Sequence, residues 1–206
     1  MYSQALILVS FATAAVQDVR QRSVNDLVWL PSVAGIALVF YAFVTQRFLP
    51  GLELELLKVG LLGGIALAFA LFGFIGQADA IAMAIIAADP YPLSPIPAVL
   101  AAAVVALGHI GYVFATGDTK KGLTVPMDRF LREQKWIPKA ILSGGIRKEV
   151  SGDVNVARDE VEAAKDPGAS VEVSYGVPTV AYLGVGYAAF LVYLLVFAPD
   201  VFFGLP

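Results

Sequence analysis

Residues 56–88 read LLKVGLLGGIALAFALFGFIGQADAIAMAIIAA. Leu56 to Ile75 is an apolar run of the length that crosses a bilayer, about 20 residues. Gly76-Gln77-Ala78-Asp79 interrupts it, and a shorter apolar run, Asp79 to Ala88, follows. A carboxylate at membrane depth costs roughly 2.5–3.5 kcal/mol or more, so an ionisable residue kept there is a functional candidate by default. The stretch predicts a helical membrane protein in which a short helix opens on an acid.

The rest of the chain agrees. Of its 206 residues, 58% are hydrophobic and only 15% charged, more apolar surface than a soluble domain of this length needs. Further apolar runs lie at about Met1 to Gln17, Leu27 to Thr45, Pro95 to Thr116 and Val177 to Ala198, which makes six in all. The Asp79 to Ala88 run has the length of a half-helix packed inside a bundle. Ala12-Thr13-Ala14 resembles a leader cleavage site, but residues 1–17 carry no Lys or Arg, so they read as a span.

Between the fifth and sixth runs lies a polar segment, Gly117 to Tyr175, with ten basic and ten acidic residues. Within it, Val125 to Ile137 reads as an amphipathic helix, either on a membrane surface or in a small domain. Val171 to Tyr175 alternates like a short strand, after a turn at Lys165-Asp166-Pro167-Gly168. The expected fold is an all-α, six-transmembrane-helix bundle with a small cytoplasmic polar segment between helices five and six. Its parts are residues 1–116, 117–175 and 176–206.

Composition narrows the chemistry. There is no cysteine, hence no disulfide, thiolate nucleophile or thiolate metal site, and His109 is the single histidine. No basic stripe points to nucleic acid. Neither a metal nor an organic cofactor is expected.

Arg20, Arg22 and the ten basic residues of the polar segment place twelve of the fourteen Lys and Arg residues on one side of a six-span topology. The positive-inside rule makes that side cytoplasmic and puts the N-terminus outside. Asp18, after one crossing, and Asp79, after three, then share the cytoplasmic face, while Asp89 falls on the opposite one. Asp18 and Asp79 are 61 positions apart in sequence, a separation that a compact bundle can close. Two carboxylates brought together can share a proton: the ionised one takes a proton from water, and the neutral one polarises the carbonyl of an amide.

Each acid also has a plain structural reading. Asp18 closes an apolar run as an interfacial cap would, and Asp79 can serve as the N-cap of the short helix. The small residues around it permit tight helix packing. Asp118 sits in a solvated turn, Asp26 reads as a cap for the second span, and His109 reads as a hydrogen-bonded histidine of the fifth.

Together the two acidic segments carry a resemblance. Asp18-Val19-Arg20-Gln21-Arg22-Ser23-Val24-Asn25 resembles the first aspartate region of the type IV prepilin and archaeal preflagellin peptidases, in which an Asp is followed by a basic residue, a branched apolar residue and then Asn or Asp. Gly76-Gln77-Ala78-Asp79 resembles the family's second region, the Gly-x-Gly-Asp motif that opens the next helix. The resemblance implies catalytic roles for Asp18 and Asp79, with Gly76, Gln77, Ala78, Arg20 and Asn25 as supporting motif positions.

The motif's second glycine is Ala78 here. Glycine would allow a positive φ or a close backbone approach, and alanine tolerates only the second well. Family members that also methylate the new N-terminus carry paired cysteines, so this chain is expected to cleave without methylating.

The implied substrate is a preflagellin or prepilin-like precursor with a short basic leader ahead of an apolar helix, cut at the cytoplasmic membrane boundary by a multi-pass protein of the cell membrane. Partners are that precursor and the lipid bilayer, with no nucleic acid. The rival from another class is a small proton- or cation-coupled transporter using Asp18 and Asp79 as ion sites.

Overall fold

The computed structural model describes residues 2–47, 49–91, 95–116, 123–133, 135–152, 154–164, 166 and 168–200. In chain order these form α1 (Tyr2–Gln21), a 3-10 turn (Asp26–Trp29), α2 (Leu30–Thr45), α3 (Leu49–Lys58), a π turn (Val59–Gly63), α4 (Gly64–Leu71), α5 (Gln77–Ala87) and α6 (Pro95–Thr116). Then come β1 (Leu123–Pro126), α7 (Met127–Arg132), β2 (Trp136–Ser143), β3 (Ile146–Glu149), α8 (Val154–Ala164), β4 (Ser170–Tyr175) and α9 (Thr179–Phe197).

Four helical stretches are long and apolar enough to cross a membrane: Asp26–Thr45, Pro50–Leu71, Pro95–Thr116 and Thr179–Phe197. The α1 helix has 20 residues, but Ser3, Gln4, Ser10, Gln17, Asp18 and Arg20 dilute its apolar face. The α5 helix has only 11 residues. The chain divides into two compact units, one of Met1–Val16, Val24–Leu107 and Thr179–Pro206, the other of Gln17–Ser23 and Gly108–Pro178.

In the first unit α9 is the central helix. Of its apolar window 56% is buried, against 11–28% for the other three long apolar stretches. Its Val180, Leu183, Tyr187, Leu191 and Leu194 pack in one core with Ile7, Phe11 and Ala14 of α1, Ala82, Ile85 and Ile86 of α5, and Ala98 and Ala102 of α6. The peripheral helices expose Leu54, Leu57, Leu61, Leu67, Leu100 and Leu107 instead, the outward face a lipid-immersed helix shows.

The contact of α9 with α6 depends on having no side chain at Gly186. A Cβ there would run into the Ala98 carbonyl oxygen and lie 2.7 Å from the Ala102 nitrogen. Small residues permit that backbone approach, which carries helix association where no water is left to expel. A polar tie joins α1 to α2. Pro31 leaves the first turn of α2 a donor short, and the Ser32 N–H gives its hydrogen to Ser10 Oγ at 2.9 Å, satisfying one of the helix's orphan donors.

The second unit corrects the all-helical expectation. Its four strands form an antiparallel sheet in the order β1-β4-β2-β3. The alternation at Val171 to Tyr175 is the middle of that sheet: Val171 and Val173 turn inward to Val125, Phe130, Trp136, Ile141 and Val161. The expected helix over Val125 to Ile137 is instead split. Only Met127–Arg132 is helical, while Val125 and Pro126 pair with β4, and Trp136 and Ile137 pair with Tyr175 and Ser174.

Local pattern hid β2, because Pro138 within it breaks the ladder and the register shifts between Pro138 and Ala140, as proline in a sheet requires. Of the expected turn at 165–168, Lys165 and Pro167 lie outside the described residues. Asp166 accepts the Gly168 N–H at 3.0 Å and the Ser143 hydroxyl, and these two donors hold its carboxyl below the usual carboxylate range.

The Gly186 contact gives the first prediction. Gly186→Val forces α6 from α9 and lowers stability in detergent by about 1–3 kcal/mol, the cost of overpacking a core. Gly111→Ala, on a part of α6 where a Cβ meets nothing within 4 Å, keeps or slightly raises the thermal midpoint, alanine being the better helix former. Equal midpoints for both variants would show that the close approach carries no weight.

Candidate functional site

Asp18 lies in the last turn of α1 and is 7% exposed. Its carbonyl oxygen accepts two hydrogen bonds from one residue, the backbone N–H and the guanidinium Nη1 of Arg22, both at 3.0 Å. Arg22 follows the helix in the left-handed region, with φ of 55°, a C-terminal cap position that glycine usually fills.

Of the two arginines after Asp18, it is therefore Arg22 that folds back. Arg20, the motif position, is exposed on the helix. Asn25 has a definite local job: its side chain accepts the Leu27 N–H at 2.9 Å and caps the 3-10 turn that leads into α2. Asp26, expected as that cap, lies one residue inside the turn.

Asp79 is half-buried in the first turn of α5. Gly76 is the N-cap, so Asp79 stands at the third helical position rather than at the cap itself. Its Oδ2 accepts the Gly76 N–H at 3.2 Å. This is half of a capping box, the half in which an acid reaches back to the start of the helix, where the helix dipole favours negative charge.

Gly76 has extended backbone, and a Cβ on it would sit 3.2 Å from Asp79 Oδ2. Glycine there leaves room for the carboxylate. Gln77, exposed, and Ala78, half-buried, are the first two residues of the helix. Among the described residues, Arg22 and Arg47 are the non-glycine residues with positive φ. Ala78 is therefore under no strain, and the alanine in place of the motif's second glycine leaves the local backbone intact.

A buried polar cluster in the first unit was not legible in the sequence. Asp89, just after α5, is fully buried and accepts the Tyr187 hydroxyl at Oδ2 (2.5 Å) and the Tyr91 N–H at Oδ1 (3.0 Å). Lys58, at the end of α3, donates to the Asp89 and Tyr91 carbonyls and pairs with Glu55 Oε2 at 2.9 Å. Both members of that pair are nearly buried, at 8% and 4% side-chain exposure.

Lys58 and Glu55 stand three residues apart on one helix face. That spacing was the available signal, but the chain alone did not give Asp89 and Tyr187 as neighbours. These groups bind one another and tie α3, the end of α5 and α9 together, with Glu55 Oε1 left buried without a hydrogen-bond partner.

His109 behaves as the sequence reading expects, half-buried with Nε2 3.2 Å from the Tyr175 hydroxyl. Asp118 lies outside the described residues. Among the described residues, no group of three or more His, Asp or Glu side chains is gathered as a metal ion would need.

Removing one partner of a buried ion pair costs about 3–5 kcal/mol, whereas replacing both by apolar residues costs far less. Lys58→Met is accordingly expected to depress the thermal midpoint in detergent sharply, and Glu55→Leu/Lys58→Met to recover most of it. A double variant no better than the single would refute the cluster as a coupled unit. Set beside known proteins, the chain matches no family model, no curated protein and no solved structure.

Proposed function

We propose that the chain is a membrane-embedded aspartic endopeptidase that removes the short leader from preflagellin or type IV prepilin-like precursors at the cytoplasmic membrane boundary. The observation that carries this reading is the setting of Asp79. It stands in the first turn of a short apolar helix, in a Gly76-Gln77-Ala78-Asp79 turn whose extended Gly76 makes room for the carboxylate and whose Ala78 adopts ordinary helical backbone. Burial of Asp18 at the end of α1 supports it, because a carboxylate is not kept 7% exposed in an apolar protein without a reason.

In this reading α1 and α5 join the four long apolar helices to make six membrane segments. Asp18 and Asp79 are the catalytic pair. One, ionised, removes a proton from water, and the oxygen attacks the scissile carbonyl carbon. The other, neutral, gives its proton to the carbonyl oxygen. Collapse of the tetrahedral intermediate breaks the C–N bond: the proton first taken from water goes to the leaving amine, and a hydroxyl of the intermediate returns its proton to the second carboxylate, leaving a carboxylic acid. The pair carries one proton between its two carboxyls before and after each turnover. Neither a metal nor a cofactor takes part.

The substrate supplies a basic leader on the cytoplasmic side and an apolar helix that remains in the bilayer. A proton- or cation-coupled transporter is the second reading, favoured by the ionisable groups buried at Glu55, Lys58 and Asp89. Against it stands the engagement of Lys58 by Glu55 and by the Asp89 and Tyr91 carbonyls, and of Asp89 by the Tyr187 hydroxyl, which ties these groups into the packing of the helices.

Asp18→Asn and Asp79→Asn are each expected to abolish cleavage of a leader-bearing precursor in isolated membranes while the protein still inserts, and Asp118→Asn to cleave normally. Wild-type processing by either of the first two variants would sink the dyad. Of the motif positions, Ala78→Gly is expected to stay within about threefold of wild type, since it changes helix propensity by only about 1 kcal/mol. Gly76→Val, which thrusts a branched side chain at the Asp79 carboxylate, is expected to lose about tenfold or more in kcat. The reverse order would refute the account given of the turn.

A further inference from the structure

We propose that Arg22 is a positioning residue for Asp18, clamped between the Asp18 carbonyl and the exit of strand β4 at Tyr175 and Gly176. This rests on the endopeptidase reading for its consequence, although the clamp itself is a matter of geometry.

A helix end frays because its last four carbonyls have no partner within the helix. Asp18 stands among those four, so its carboxylate inherits whatever freedom the last turn has. Arg22 removes that freedom with two hydrogen bonds to the Asp18 carbonyl, from its backbone N–H and from its guanidinium. To do so it adopts a positive φ, which glycine would take with less strain. A non-glycine residue held in such a conformation is a pointer to function when its surroundings over-determine it.

Those surroundings are specific. The guanidinium carbon lies 5.8 Å from the centre of the Tyr175 ring, within cation–π range. The Tyr175 hydroxyl is in turn held by His109 Nε2 at 3.2 Å, and its ring meets Trp136 edge-on. The arginine stem lies flat on Gly176: the three heavy atoms nearest to a Cβ built there are Cδ, Cγ and Nε of Arg22, at 3.0 to 3.2 Å. Gly176 is itself fixed by its N–H bond to the Lys135 carbonyl at 3.0 Å.

Arg47 supplies the contrast. It has the same backbone conformation at the end of α2, with φ of 54°, but its side chain is exposed. At Arg22 the side chain, rather than the turn, explains the residue. The sheet of the second unit thus has a task in catalysis although it supplies no catalytic group: it holds the last turn of α1, and with it the direction of the Asp18 carboxylate.

The test uses the full chain in detergent micelles or nanodiscs with a synthetic precursor carrying a basic leader and an apolar helix. Arg22→Met, Tyr175→Leu and Gly176→Val are expected to lower kcat about tenfold to a hundredfold, the cost of a misplaced catalytic group, while KM stays within about threefold. Tyr175→Phe keeps the ring under the guanidinium and is expected to retain at least about a third of wild-type kcat. Hydrogen exchange of the peptide spanning residues 14–24 is expected to quicken in the first three variants, and that of residues 77–87 to stay unchanged.

Should Tyr175→Leu unfold the sheet, as Trp136 fluorescence would report, Gly176→Ala gives the same split at smaller amplitude, because the atoms nearest its added methyl are those of the arginine stem. Wild-type kcat and exchange in Tyr175→Leu or Gly176→Val would overturn the clamp. So would a rise in KM at constant kcat, which makes Arg22 a substrate-binding group, or equal losses in Tyr175→Phe and Tyr175→Leu. If the wild-type protein leaves every such precursor uncut, the endopeptidase reading falls, and the exchange of residues 14–24 alone decides whether the clamp exists.

Discussion

The hydrogen bond from the Tyr187 hydroxyl to Asp89 organises the first unit. Tyr187 is fully buried on the central helix α9, with its ring 5.5 Å from Phe11 of α1, which packs in turn on Trp29 before α2. Asp89 gathers the Tyr91 N–H on its other oxygen, and the neighbouring carbonyls hold Lys58 with its partner Glu55. One buried phenol thereby joins α9 to the polar cluster at the end of α5. In surroundings without water a hydrogen bond of this kind is hard to exchange for another, and its loss leaves charge without compensation. The close approach of α6 at the adjacent Gly186 follows from the same placement of α9.

The second unit stands on different physics. Its core is an aqueous-type core, with Trp136, Phe130 and Val161 between a sheet and α8. Its surface carries exposed ion pairs, such as Arg147 with Glu149 and Glu172. Glu133 shows how such a surface sets its charges: the Arg129 hydrogen bond, helped by the Trp136 indole and by Lys135, holds its carboxyl below the usual range. Arg158, half-buried against Phe130 and Trp136, has its guanidinium pKa pulled down, chiefly by burial. The last turn of α1 belongs to this unit, which gives the polar segment a bearing on Asp18 that its balanced charge did not suggest.

The candidate acids differ in how far the chain announced them. Asp79 stood out because an acid after Gly76 at the mouth of an apolar run has few other readings, and its place in the first turn of α5 accords with that local rule. Asp18 stands out as a charge closing an apolar run, and the arginine that bonds its carbonyl is Arg22. Arg20 and Arg22 are indistinguishable as letters, and only the left-handed turn after Gln21 sends the second one back. Asp89 was set aside on grounds of topology. Its actual partners, Lys58 and Tyr187, lie 31 and 98 positions away, a distance over which no periodicity speaks.

The sequence by itself determined the long apolar helices, the polar insertion before the last of them and the short helix that opens on Asp79. These follow from hydrophobic run length and from local capping chemistry, which act over a few residues at a time. Only the tertiary structure decided that a four-stranded sheet forms within the insertion, that Ala78 takes ordinary helical backbone, and that Arg22 is the residue bound to the Asp18 carbonyl. Those outcomes depend on ladder pairing between distant strands, on the sign of one backbone angle, and on which side chain meets Tyr175. Each is a relation between residues far apart in the chain, or between a residue and its own backbone, that composition and spacing do not encode.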